Sequence, residues 1–313
     1  LLSNEMSAVE AIEVCRQSGV TTVISHLKAV GKPNHGKVLE VLTMIDEAAA
    51  EGLPVYGDCY PYIAGSTTLT IVLPPWTLEK GIEGLLEQLQ RPIARERIRK
   101  DFQNGIDGWE NRSVTIGWSK ILVASLASDK NRCLEGLSIE KISQIRGKDE
   151  VDTLLDLLLE ERGAVTALLI GSSEKDISAA LAHDRVMVCS DGLPVGGKPH
   201  PRLYGAITKY LAEYADLKTE EGLIKAVHKL TGLPSSIYSL GRRGTLQLGN
   251  WADITIMDPN KVKDLATYTD PRQLSEGIEA VFVGGELAYR EEDFTGVYNG
   301  QFLKLREGNY AVD

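Results

Sequence analysis

The stretch VTTVISHLKAVGKPNHGKVLEVLTMIDEAAAEGLPVYGDCYPY, residues 20–62, decides the architecture. Its first six residues, VTTVIS, are nearly all β-branched, which predicts a strand buried on both faces. A loop bearing Gly31, Pro33 and Gly36 follows. From Lys37 the pattern is helical, with Leu39, Leu42 and Ile45 expected on one side and Gly52 as the stop. LPVYGDC then reads as a second strand running toward Pro61. Upstream, SAVEAIEVCRQSG (7–19) predicts a helix. Ser7 and Glu10 have capping-box spacing, Ala8, Ala11, Ile12 and Cys15 form an apolar stripe, and Gly19 ends it. Helix, strand, helix, strand is the repeat of parallel α/β architecture.

Outward from this stretch the rhythm breaks. Residues 66–148 read as an irregular excursion with a charged helical piece near 79–104. The order is expected to return with KDEVDTLLDLLLEERG as a helix and AVTALLIG as a strand. EKDISAALAH predicts a short helix and RVMVCSDG a buried strand. GAITKYLAEYA and EEGLIKAVHKLTG read as helices. From residue 241 the texture changes to short strands and turns, GTLQLGNWADITIMD and GIEAVFVGGELAYR.

The 313 residues are 43% hydrophobic and 25% charged, which is globular composition. A net charge of −10 without a long basic run argues against nucleic acid and anionic membranes as partners. It leaves room for a small anionic ligand, which needs only two or three local cations. No apolar run reaches transmembrane length. Cys15, Cys59, Cys133 and Cys189 form no C-x-x-C pair, which argues against a zinc ribbon or disulfide framework and suits a reducing cytoplasm.

Three of the expected strands end in polar clusters. The first ends at Ser25-His26-Leu27-Lys28. The second ends at Asp58-Cys59-Tyr60-Pro61-Tyr62, with Ser66 shortly after. The third ends at Ser190-Asp191-Gly192, followed by His200 and Arg202. In parallel α/β folds the carboxyl ends of strands form the active face. Together these groups offer a metal-type ligand, a carboxylate, two cations and two hydroxyls. Each also has a plain reading. His26 could be a hydrogen-bonded structural histidine and Asp191 an Asx-turn former. Lys28 could be solvated, Tyr60 core, and Arg202 paired with any nearby acid. His35 reads as part of a solvated turn, His183 and His228 as packing or capping groups, and Cys59 as buried filler.

In this order the motifs SHLKAVGKPNHGK, DCYPYIAGSTTL, LPPW, CSDGLPVGGKPHPRLYG, HKLTGLP and RGTLQLGNWADITIMDP resemble the N-acyl-D-amino-acid deacylases (D-aminoacylases) of the amidohydrolase superfamily. The resemblance runs from the first residues to about residue 302. It implies a (β/α)8 barrel with a small β-sandwich, VTTVIS, LPVYGDC and RVMVCS being strands 6, 7 and 8. Residues 1–240 would be barrel, with an insertion at about 66–148 that caps the pocket, and 241–313 would belong to the sandwich. It implies a zinc-dependent hydrolase acting on N-acyl-D-amino acids. His26 would bind zinc, Asp191 would handle the proton, and Lys28, Tyr60, Ser66 and Arg202 would hold the substrate α-carboxylate. The family's other metal ligands lie upstream. LLSNEM resembles the segment just past the strand-5 histidine, so about five barrel strands are expected in an N-terminal segment of the same or a separate chain. A non-catalytic homologue that binds a carboxylate, or a cyclic amidohydrolase of the dihydroorotase or hydantoinase kind, stands as the alternative.

Overall fold

The computed structural model describes residues 4–194, 196–290 and 293–303. Helix α1 (Asn4–Ser18) precedes strand β1 (Thr22–Ile24), and α2 (Lys37–Ala50) precedes β2 (Val55–Cys59). α1 begins before Ser7, so the expected capping box lies inside the helix and does not cap it. Its end is as expected: Gly19 takes φ +70° and its N–H bonds the Cys15 carbonyl at 2.8 Å. On α2 the buried stripe is Val38, Val41, Leu42, Ile45 and Ala48. Leu39 is 55% exposed, because it lies ~100° round the helix from Val38.

The excursion is larger than expected and has its own architecture. β3 (Ala64–Thr68), β4 (Ile121–Leu126) and β5 (Val165–Ile170) form an antiparallel sheet in the order β3-β5-β4. β5 therefore does not resume the parallel rhythm; it pairs Leu168 with Ser66 and Leu122. Helices α3 (Gly81–Leu89), α4 (Pro92–Asn104), α5 (Arg112–Thr115), α6 (Ile139–Arg146) and α7 (Glu150–Glu160) accompany this sheet. Leu85, Ile98, Ile139, Ile142, Leu154, Leu155 and Leu158 make a core separate from that of the parallel strands. Each such side chain contributes about 1.5–3 kcal/mol through burial.

The parallel rhythm resumes with α8 (Glu174–Ala182) and β6 (Val186–Val188). β1, β2 and β6 lie side by side in that order, all parallel. β6 is buried throughout and β1 is only half-buried, although each lies at an edge of this sheet. α1, α2 and α8 bring Ala8, Ile12, Cys15, Ile45 and Ile177 into one core with Val55 and Val186. Gly57, central in β2, is required by packing: a β-carbon there would lie 2.5 Å from Leu27 Cδ1.

After β6 come α9 (Arg202–Lys209), which runs on as a π-helical turn through Tyr214, then α10 (Glu220–Leu230) and α11 (Gly232–Ile237). The C-terminal meander β7 (Ile254–Met257), β8 (Ile278–Val283), β9 (Glu286–Arg290) and β10 (Asp293–Phe294) is one antiparallel sheet. Only Ala280 and Ala288 of its described strand residues are buried. Leu1–Ser3, the start of the LLSNEM motif, and residues 304–313 lie outside the described residues. Among the described residues no helix is long and apolar enough to cross a membrane.

Candidate functional site

Because β1, β2 and β6 are parallel, their carboxyl ends open on the same side, and the three polar clusters converge there. Asp58, near the end of β2, organises the end of β1. Its Oδ1 accepts the His26 N–H at 2.6 Å and its Oδ2 accepts the Ser25 hydroxyl at 2.8 Å. Its own carbonyl accepts the Leu27 N–H at 2.8 Å. These bonds hold His26 at φ +45°, a left-handed conformation that costs a non-glycine residue of order 1 kcal/mol. Asp191, just past β6, has the same φ of +45°. Two turned residues thus stand past the ends of β1 and β6, the strands that flank β2.

Among the described residues Asp191 forms no Asx turn. Ser190 Oγ accepts the Gly192 N–H instead, at 3.3 Å. The Asp191 carboxylate accepts from Arg202 Nη1 at 2.7 Å. Arg202 opens α9 and is only 3% exposed, while Asp191 stays 38% exposed at the rim. The Arg202 guanidinium lies over the Tyr60 ring, its Cζ 4.5 Å from the centroid. Lys28 Nζ lies 5.1 Å from the same centroid and donates to the His26 carbonyl at 3.2 Å. Two cations thus share one aromatic ring. Burial, and next the Arg202 charge, bring the Lys28 ammonium down to about 8. Burial raises the Tyr60 phenol well above its ordinary range.

Two buried atoms of this cluster, Arg202 Nε and Tyr60 Oη, have no hydrogen-bond partner among the described residues. A buried donor without a partner costs about 1–3 kcal/mol, so both atoms are open to an acceptor that the described residues do not supply. Ser66 is adjacent but not joined. Its neighbour Gly65 faces the cluster, a β-carbon there lying 3.7 Å from both Lys28 Cε and Tyr60 Oη. Ser66 itself makes no hydrogen bond to the cluster among the described residues. His35 and His183 serve other contacts, with the Gly171 carbonyl at 3.0 Å and the Asp46 carboxylate at 3.1 Å. Cys59 is buried, its thiol pushed up to about 12 by burial.

Among the described residues no three His, Cys, Asp or Glu side chains are grouped to hold a metal. A catalytic zinc takes three protein ligands. These residues therefore do not by themselves fit a zinc site; His26 is a single donor, its imidazole lowered by burial and next by Lys28.

His200 and Asp58 carry structural roles that the motif reading left unassigned. His200 is 4% exposed, and burial, and next Arg202, lower it to about 3 from its ordinary 6.5. Above pH 6.5 it is neutral in both folded and unfolded chains. Between 6.5 and 3 the unfolded chain takes up a proton that the fold refuses. Stability therefore falls as pH drops through this window, by at most about 1.4 kcal/mol per pH unit. Urea denaturation from pH 7 to pH 4 should show that loss, and His200→Gln should flatten it.

A model describing the amidohydrolase family matches residues 103–289. The chain is 32% identical over 294 residues to a D-aminoacylase of Alcaligenes xylosoxydans xylosoxydans, covering 94% of this chain and 51% of that one. It is 33% identical over 292 residues to an N-acyl-D-glutamate deacylase of the same organism, covering 91% and 49%. Among solved structures, a D-aminoacylase studied for its binuclear metal center superposes with a TM-score of 0.71 at 29% identity, covering 93% of this chain and 51% of that one. The N-acyl-D-glutamate deacylase of Bordetella bronchiseptica, complexed with zinc and a phosphonate inhibitor, gives 0.70 at 27% identity, covering 91% and 50%. The chain spans about half the length of the curated relatives it matches.

Proposed function

The chain belongs to the amidohydrolase family, and from that premise we propose that it supplies the carboxylate clamp and the proton-handling acid of a hydrolase that cleaves N-acyl-D-amino acids. The observation that carries this reading is the buried Arg202, stacked on Tyr60 and 2.7 Å from Asp191, with Arg202 Nε and Tyr60 Oη unpartnered. The substrate α-carboxylate supplies acceptors to those atoms and a counter-charge to Arg202 and Lys28. Fixing the amino-acid end sets the scissile amide beside Asp191. Asp191 takes a proton from the attacking water and delivers it to the departing amine nitrogen as the C–N bond breaks. Ser66 follows Gly65 on β3 and so faces the other side of that strand, which leaves it out of this clamp. The D-configuration comes into the proposal from the named relatives.

In this reading β1, β2 and β6 are strands 6–8 of a (β/α)8 barrel, the antiparallel unit is an insertion, and the meander β7–β10 contributes to a β-sandwich. Zinc comes from the relatives, one of which is described with that metal. Its ligands beyond His26, like the rest of the barrel, would come from outside the described residues, in the same or a separate chain. A reducing cytoplasm suits the four free cysteines.

The test uses the complete natural protein containing this sequence, supplied with zinc. N-acetyl-D-amino acids, their L-enantiomers and dihydroorotate are compared in steady state. Turnover of the D-compounds well above the others is expected. Turnover of dihydroorotate in preference would replace the reading with a cyclic amidohydrolase. Stoichiometric zinc with no amide turnover would leave a carboxylate-binding protein.

A further inference from the structure

We infer that His200 is a positioning residue that sets the carboxylate clamp by tying the start of α9 to the first strand of the insertion sheet; this rests on the clamp reading above. His200 touches neither Asp191 nor Lys28 by any hydrogen bond among the described residues. Its ring Nδ1 accepts the Arg202 backbone N–H at 3.0 Å. Its Nε2 lies 3.1 Å from the Ala64 carbonyl. A nitrogen that accepts an N–H carries no proton, so the hydrogen sits on Nε2, which donates to Ala64.

Both bonds bear on the clamp. The first N–H groups of a helix have no partner within the helix, and Arg202 is the first residue of α9. His200 satisfies that donor and fixes the backbone from which the guanidinium springs. Ala64 begins β3, and the next residue, Gly65, faces Lys28 and Tyr60 Oη. One ring thus joins the root of Arg202 to the start of β3, whose next residue faces Lys28 and Tyr60.

The ring has little freedom to tilt. Tyr60, Tyr62 and Tyr268 meet it edge-on, with centroids 6.0, 5.3 and 5.5 Å away. Tyr62 is itself held, its hydroxyl donating to Asp264 at 2.6 Å. Edge-to-face contacts of this kind favour a single orientation over a rotating one. Only the neutral ring satisfies both bonds, in keeping with the low affinity of His200 for a second proton.

The two bonds can be separated by substitution. Asn places its amide oxygen near the Nδ1 position and keeps an acceptor for the Arg202 N–H. Gln places its amide nitrogen near Nε2 and keeps a donor for Ala64. Steady-state constants and calorimetric binding are measured on the complete natural protein for N-acetyl-D-amino acids and their neutral amides. His200→Ala should raise KM for the acids by roughly tenfold, with kcat within about threefold and the neutral amides unaffected. His200→Asn should recover most of that loss and His200→Gln should not. Where His200→Ala does not fold, the Asn and Gln variants decide between them.

Unchanged KM for the acids, equal losses for acids and amides, or recovery by Gln as good as by Asn would overturn the positioning role. Arg202→Ala, measured alongside, separates the two failures. Should Arg202→Ala discriminate acid from amide while the His200 variants do not, the clamp stands and His200 is a packing residue. Should Arg202→Ala fail to discriminate, the clamp and this inference fall together.

Discussion

Arg202→Ala is expected to raise KM for N-acyl-D-amino acids by about two to three and a half orders of magnitude and to leave their neutral amides nearly unaffected. The guanidinium is 3% exposed and lies against Tyr60. A charged partner lost from such a site costs about 3–5 kcal/mol, because the other charge stays buried without it. At about 1.4 kcal/mol per tenfold, that is the stated range. Arg202→Lys should recover little, since an ammonium cannot reproduce the planar fork or the stacking on Tyr60. Lys28→Met should cost less, because Lys28 is only half-buried. The check is the ratio of KM values for acid and amide. Equal changes in both would mean that Arg202 supports the fold without gripping the carboxylate.

Asp191→Asn should lower kcat by about 10²–10⁴, the usual contribution of a positioned acid–base group. Zinc content should stay nearly unchanged, because in the proposed division of labour His26 holds the metal and Asp191 handles the proton. Binding of the intact N-acyl amino acid should persist or tighten. In the wild-type chain the Asp191 carboxylate holds Arg202 Nη1 at 2.7 Å and competes with an incoming carboxylate for the same cation. A neutral amide competes less. Rapid-quench turnover, with calorimetric binding of the substrate, checks both halves. Wild-type turnover would remove Asp191 from the chemistry, and lost binding with retained kcat would make it part of the clamp.

The parallel rhythm was legible because β-branched runs and glycine stops are local signals, as at Thr22–Ile24 and Gly19. Local signals did not say which face of α2 is buried. Leu39 and Val38 are equally apolar, and only the neighbouring helices decide between them. They also did not say which sheet β5 joins. Val165–Ile170 is a short continuous apolar run, and such a run suits a parallel core strand and an antiparallel one alike. The excursion was seen, but its sheet could not be, since β3 and β5 pair across about a hundred residues of chain.

The site shows the same division. His26, Lys28, Tyr60, Asp191 and Arg202 come together because each lies past a strand end, and parallel strands bring those ends to one side. The bonds among them were not legible. That Asp191 holds Arg202, and that Asp58 turns His26 to φ +45°, depends on side-chain directions fixed only by packing. His200 was visible two residues before Arg202 in the HPR motif. Its value lies in a burial and a tautomer that sequence does not encode locally.

The most direct measurement is a crystal structure of the complete natural protein, with Asp191→Asn to slow turnover, bound to an N-acetyl-D-amino acid. The α-carboxylate is expected on Arg202 and Tyr60 Oη, within reach of Lys28, with the amide nitrogen facing residue 191. A carboxylate seated elsewhere, with Arg202 Nε and Tyr60 Oη still unpartnered, would contradict the clamp.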